Sequence, residues 1–215
     1  MGPPALLWTA ASHNPRFMYA AGALGLRMAL ALAGIRVNVV GAANRQRAVV
    51  YACNHASNIE PPAVFWALRP LFPNVRVLYK AELRKLPILV WAFDAAGFIP
   101  LERGNPEQSR PAIDRAAEAL RDGNSFVIFP EGTRSRTGEL LPFKKGGFLM
   151  AIKAQAAIVP VAVSGGRNAM RKGSPLIWPA TVTVDLGQAI PTRGLTLDDR
   201  DVLIERVRSS IAARL

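Results

Sequence analysis

His55 and Glu60 stand five residues apart in the polar stretch Asn54-His55-Ala56-Ser57-Asn58-Ile59-Glu60, which interrupts two apolar runs. The chain has only two histidines. An imidazole held by a carboxylate at one ring nitrogen can use the other to take a proton near neutral pH. Five is a poor spacing for two side chains on one helix face, where neighbours lie three or four apart. The pair works with His55 in a loop and Glu60 at the start of a helix opened by Pro61-Pro62, whose N-terminus favours a carboxylate. Glu60 then fixes the tautomer and stabilises the imidazolium, as the orienter of a base does in acyl-transfer sites. The sequence forces no serine or cysteine nucleophile, so the acceptor hydroxyl can belong to the substrate. Taken alone, the pair also fits a histidine that merely satisfies a loop.

Two further loops carry charge. Phe129-Pro130-Glu131-Gly132-Thr133-Arg134-Ser135-Arg136 follows an apolar run directly, and Lys144 and Lys145 lie beyond it. Glu131-Gly132 permits a tight turn, Thr133 and Ser135 offer hydroxyls, and Arg134 and Arg136 offer planar forks suited to phosphate. A solvated basic turn has the same composition. Gly97-Phe98-Ile99-Pro100-Leu101-Glu102-Arg103 ends an extended run in a charged pair; Arg103 is a second anion contact or half of a surface ion pair.

The elements that must position these loops alternate. Runs at 35–40, 48–53, 75–79, 98–101, 125–129, 158–163 and 181–186 read as strands, and 61–68, 88–95, 107–122, 146–156 and 198–214 as helices, with Asp198 as N-cap of the last. This order predicts a single α/β domain, its mixed or largely parallel sheet flanked by helices. The three charged loops each follow a predicted strand, where such folds place ligands.

At 215 residues, half of them apolar, the chain supports one sizeable core. One cysteine, Cys53, excludes an internal disulfide and a multi-cysteine metal site; no metal and no cofactor is expected. The formal net charge is +12, and no Asp or Glu precedes Glu60, whereas Arg16, Arg27, Arg36, Arg45 and Arg47 do. Such a segment suits an anionic membrane surface or nucleic acid. The apolar run 17–34 approaches bilayer-spanning length but carries Arg27 at its centre. It is predicted to lie in the membrane interface, giving an N-terminal segment 1–34 ahead of a domain 35–215; a core-packing helix is the alternative. No secretory leader pattern is evident.

Together the blocks resemble the 1-acyl-sn-glycerol-3-phosphate acyltransferase family, the glycerophospholipid acyltransferases. His55 through Glu60 is similar to that family's first block, a histidine, four residues and an aspartate. Residues 97–103 are similar to its second block, Gly-x-Ile-x-x-x-Arg, and Phe129 to Ser135 match its third at every position. Val159-Pro160-Val161-Ala162-Val163 looks like its fourth. The resemblance covers residues 48–165 in order and spacing. It implies acyl transfer from acyl-CoA or acyl carrier protein to the sn-2 hydroxyl of lysophosphatidate, giving phosphatidate, at the cytoplasmic face of the inner membrane. By position, His55 is the implied general base and Glu60 its partner. Arg103, Arg134 and Lys80 are the implied phosphate contacts, and Glu131, Gly132 and Thr133 shape the glycerol site. Glu60 departs from the usual aspartate by one methylene, which leaves another lysophospholipid or a lyso-aminolipid open as acceptor.

Other readings are an inert membrane-binding relative and a nucleic-acid module. The second is disfavoured: the aromatics sit in apolar runs instead of alternating with Lys and Arg as a base-stacking platform needs, so no nucleic-acid partner is expected.

Overall fold

The structure, a computed structural model, describes residues 16–102 and 106–215, without the side chains of 87–89 and 106. The chain folds in the order α1 (Arg16–Leu32), β1 (Ile35–Val40), β2 (Val50–Cys53), α2 (Glu60–Leu68), β3 (Val75–Lys80), α3 (Pro87–Ala95) and β4 (Ile99–Leu101). Then come α4 (Pro106–Arg121), β5 (Ser125–Ile128), α5 (Gly146–Ala154), β6 (Ile158–Ser164), α6 (Gly166–Ala169), β7 (Ala180–Leu186) and α7 (Arg200–Ala212). Short 3₁₀ turns occupy 42–44, 69–71, 81–85 and 197–199.

The strands form one sheet in the order β1-β7-β6-β2-β5-β3-β4. Five of them, β6, β2, β5, β3 and β4, run parallel; β7 is antiparallel to β6, and β1 runs with β7. The predicted α/β domain with a largely parallel, mixed sheet is what forms.

Both faces of the central strands are buried, which is why they read as continuous apolar runs instead of alternating ones. In β2, Val50 and Ala52 join Phe126, Phe148, Met150, Leu203 and Val207 in one core layer. Tyr51 and Cys53 point the other way, into a layer with Leu30, Val64, Leu68, Val161 and Val184. That is the two-residue alternation of a strand covered on both sides. Helix α1 is fastened to the second layer by Tyr19, whose hydroxyl donates to Val75 O at 2.8 Å. Burial pushes this phenol well above its ordinary pKa, so it serves as a neutral donor.

Two local expectations change. Asp198 does not cap the last helix. Thr196 caps the 3₁₀ turn before it, accepting from Asp198 N while Asp199 returns a bond to Thr196 N at 2.7 Å; a threonine with an acid three residues on is a capping box. Helix α2 begins at Glu60, one residue before the proline pair.

Candidate active site

The carboxyl ends of five parallel strands share one edge of the sheet, and His55 lies just beyond the middle of it. β2 stops at Cys53 because Asn54 replaces the ladder with its side chain. Its Nδ2 donates to Val163 O at 2.9 Å, and Val163 N donates to Oδ1 at 2.7 Å. The main chain is thereby released from the sheet at His55 with no buried polar group orphaned.

The loop after β5 then clamps His55 on both sides. His55 N donates to Glu131 Oε1 at 2.7 Å, and Ser135 N donates to His55 O at 2.7 Å. The second Glu131 oxygen accepts from Leu141 N at 3.1 Å. Glu131 is buried. That burial pushes its carboxyl above the usual range, opposed by the two backbone donors. Its carboxylate is thus spent on holding two loops together, and it shapes the site from behind. Gly132 follows with φ of +70°, and a Cβ there would lie 2.7 Å from the Lys144 side chain. The left-handed turn favours glycine, and the flexible end of Lys144 lies over it.

The His55 imidazole is fixed from below by Glu60. Nδ1 lies 3.0 Å from Glu60 Oε2, and Ala56 N donates to the same oxygen at 2.6 Å. A carboxylate accepting from a backbone N–H accepts from Nδ1–H as well, which assigns the proton to Nδ1 and leaves Nε2 bare. Among the described residues Nε2 has no hydrogen-bond partner. Glu60 is 1% exposed and His55 17%, so the carboxylate is sealed and the ring is open on one side. The Phe129 ring packs against the imidazole at 4.5 Å between centroids, tilted by 39°.

Glu60 has this room because of a residue not singled out from the sequence. Gly166, at the start of α6, has no Cβ; one placed there would stand 3.0 Å from Glu60 Cγ and 3.1 Å from Oε1. The extra methylene of glutamate occupies the space that Gly166 leaves. The Gly165-Gly166 pair directly after β6 was visible as a turn signal. Its closeness to Glu60 is a tertiary fact.

A cavity of about 490 Å³ opens between the ends of β3, β4 and β5 and the start of α5, and reaches the pair through Phe129, which packs on His55, and Pro61, which follows Glu60. It falls within the roughly 300–1,000 Å³ of small-molecule sites. Its wall is apolar, with Leu78, Leu83, Leu101, Ile113 and Phe129, and Lys80 and Lys144 bring cations to it. Lys144 was not among the expected site residues, although the Lys144-Lys145 run signals it. Lys80 is half exposed and paired with Glu82 at 2.8 Å. Arg134 is half buried and Thr133 exposed; Lys172 Nζ donates to Arg134 O at 2.7 Å. Arg103 lies outside the described residues. A separate apolar hollow of about 320 Å³ has Pro62, Phe65, Phe93 and Phe98 in its wall and α1 on one side. It sits on the α1 side of the sheet, away from the cations.

Among the described residues, the cysteine and the two serines near His55 are not free to compete for Nε2. Cys53 is fully buried, and burial together with the Glu60 charge pushes its thiol up. Ser57 Oγ donates to Met170 O and accepts from Ile59 N. Ser135 Oγ accepts from Gly138 N. Chemically, such an arrangement can deprotonate a hydroxyl brought by a ligand.

A family model described as Acyltransferase matches residues 36–164, more than half of the chain. A 1-acyl-sn-glycerol-3-phosphate acyltransferase of Limnanthes douglasii is 33% identical over 175 residues, covering 81% of this chain and 61% of the relative. A protein of the same name from Cocos nucifera is 34% identical over 168 residues, covering 77% and 53%. The chain thus spans between half and two thirds of the length of these relatives. The crystal structure of the 1-acyl-sn-glycerophosphate (LPA) acyltransferase PlsC from Thermotoga maritima shares the fold, with a TM-score of 0.76 at 24% identity, covering 92% of this chain and 78% of that one.

Proposed function

The chain belongs to the acyltransferase family, and from that premise we propose that it acylates the free sn-2 hydroxyl of lysophosphatidate to give phosphatidate. The observation that carries this reading is the 3.0 Å contact of His55 Nδ1 with Glu60 Oε2 beside an apolar cavity bordered by Lys80 and Lys144. His55 Nε2 takes the proton of the acceptor hydroxyl as its oxygen attacks the thioester carbonyl of the donor, an acyl-CoA or an acyl carrier protein. The tetrahedral intermediate collapses by breaking the carbon–sulfur bond. The imidazolium, held by Glu60, returns the proton to the departing thiolate. The acyl chain lies in the cavity. Lys80, Lys144 and Arg134, with Arg103, meet the acceptor phosphate, each charge-assisted bond contributing about 1.5–3 kcal/mol. No bound cofactor or metal takes part in this sequence of steps.

Substrate and product are membrane lipids, so the protein works as a peripheral or monotopic enzyme on an anionic surface, the cytoplasmic face of the inner membrane. Among the described residues no helix is long and apolar enough to cross a membrane. The acid-free start with Arg16 and Arg27 supports this placement.

The test is purified protein in detergent with acyl-CoA and a panel of lysolipids. Phosphatidate formation from lysophosphatidate is the expected result. Turnover of another lysophospholipid or a lyso-aminolipid with none of lysophosphatidate would replace the acceptor. No transfer to any of them, from either donor type, removes the reading altogether.

Gly166 supplies a sharper test of how Glu60 serves His55. In Gly166→Ala the new methyl crowds Glu60 Cγ and Oε1 and Ser57 Cβ, which must give by a few tenths of an ångström. We expect kcat to fall roughly tenfold, with a stability cost of about 1–3 kcal/mol for the overpacking. Glu60→Asp in the same chain withdraws the methylene that the methyl meets and should restore part of the loss. A Gly166→Ala enzyme with unchanged kcat shows that this contact positions nothing.

A further inference from the structure

We propose that the loop between α6 and β7, through Leu176, Ile177 and Trp178, joins the outer face of α1 in one surface that seats on an anionic lipid bilayer. This rests on the reading above that the acceptor is a membrane lipid, and adds where the bilayer touches and how the site is turned toward it. Three consecutive large apolar residues are exposed at the loop tip, with Trp178 at 62%. The tip is not a loose end. Trp178 N donates to Ala169 O at 2.8 Å, and two residues on Ala180 N donates to Gly34 O at 3.3 Å, where β7 pairs with β1.

That junction sets the loop beside the end of α1, where Leu32 is 87% exposed. Phe17, Leu24, Met28 and Leu32 are all exposed. Their spacing of seven, four and four puts them on one helix face, opposite the side that buries Tyr19 and Leu30. The two apolar patches therefore approach each other at the Gly34–Ala180 junction.

Charge decides the occupant. Over residues 166–184, around the tip, the sequence has no acidic residue, but it carries Arg167, Arg171 and Lys172. Arg171 is exposed next to the apolar tip. Apolar side chains with a tryptophan, flanked by cations, fit the boundary between head groups and acyl chains of an anionic leaflet. The same loop is wired to the candidate site. Lys172 Nζ donates to Arg134 O and, at 3.4 Å, to Thr133 Oγ1, and Arg167 Nη2 donates to Arg136 O at 2.8 Å. Docking the tip sets the loop 133–136 at head-group level, where a lysolipid phosphate arrives.

The experiment uses the full chain with Trp178 as its sole tryptophan (Trp8→Phe, Trp66→Phe, Trp91→Phe). It is mixed with phosphatidylcholine vesicles with or without phosphatidylglycerol, some carrying brominated acyl chains. Trp178 emission should shift to the blue and be quenched by bromine with the anionic vesicles only. Arg171→Gln should weaken partitioning roughly fivefold. Ile177→Glu with Trp178→Glu should abolish flotation and slow turnover of vesicle-borne acceptor at least tenfold, with turnover of a dispersed short-chain acceptor and the Tm kept.

Trp178 emission that stays water-like on anionic vesicles overturns the proposal even if the enzyme is active. So does burial of Trp178 without lipid, in a monomer through the chain's own first residues or in a concentration-dependent dimer through a second copy. Vesicle binding without turnover of either acceptor would leave the docking surface standing and remove the acyltransferase reading.

Discussion

His55→Ala is expected to lower kcat by about 10²–10⁴-fold, the usual worth of a positioned general base, with the KM for acceptor little changed and the Tm kept. Among the described residues the imidazole has its Nε2 on the open side of the site, with no hydrogen-bond partner. Its Nδ1 is occupied by Glu60, and the nearby Cys53, Ser57 and Ser135 are buried or committed to the backbone. The ring itself supports little of the fold. What holds the loop is the His55 main chain, through Glu131 and Ser135, and alanine keeps both bonds. The cavity and the lysines beside it are also untouched, which is why the loss belongs in kcat. Single-turnover assays beside thermal melts measure both. An alanine variant that acylates at the parent rate would make His55 a loop histidine and this chain's activity, if any, the work of other residues.

The sequence was most informative where burial on both faces imposes a pattern. β2, β5 and β6 are visible as continuous apolar runs because they have almost no solvent face, whereas β1 and β7 alternate in burial. The five-residue separation of His55 and Glu60 was readable as loop plus helix start, and a single side-chain contact of 3.0 Å spans it. Local chemistry competed at the last helix, where Thr196 and Asp198 both had cap character and only the backbone decides between them. Long-range proximity left no mark at all. Gly166 is 106 positions from Glu60, and Lys172 reaches Arg134 from 38 positions away. Nothing in either local pattern distinguishes these from an ordinary glycine turn and an ordinary basic loop. Glu131 shows the opposite case. Its motif is conspicuous and suggests a group facing substrate, yet its carboxylate is consumed by the His55 and Leu141 amides. A motif marks a residue as needed without saying which side of the site it serves.

Glu60→Gln is the second large effect, and its reason differs. The amide oxygen is forced into the Oε2 position, because an NH₂ there would face the Ala56 N–H at 2.6 Å with donor against donor. From that position it still accepts from Nδ1–H, so the tautomer, the ring orientation and the space beside Gly166 are all kept. Only the negative charge is removed, and with it the stabilisation of the imidazolium formed in the transition state. We expect kcat to drop about 10²–10³-fold, comparable to losing one preorganised electrostatic contact to developing charge. The double variant His55→Ala/Glu60→Gln should be no slower than His55→Ala alone, since a carboxylate that acts only through the imidazole has nothing to act on once it is gone. Losses that multiply instead would show that Glu60 contributes independently of His55. A Glu60→Gln enzyme at parental kcat would leave the buried carboxylate as a structural acceptor for Ala56 N and nothing more. Between those outcomes, non-additive loss identifies base and orienter as one unit, which the 3.0 Å contact suggests but rate measurements alone can apportion.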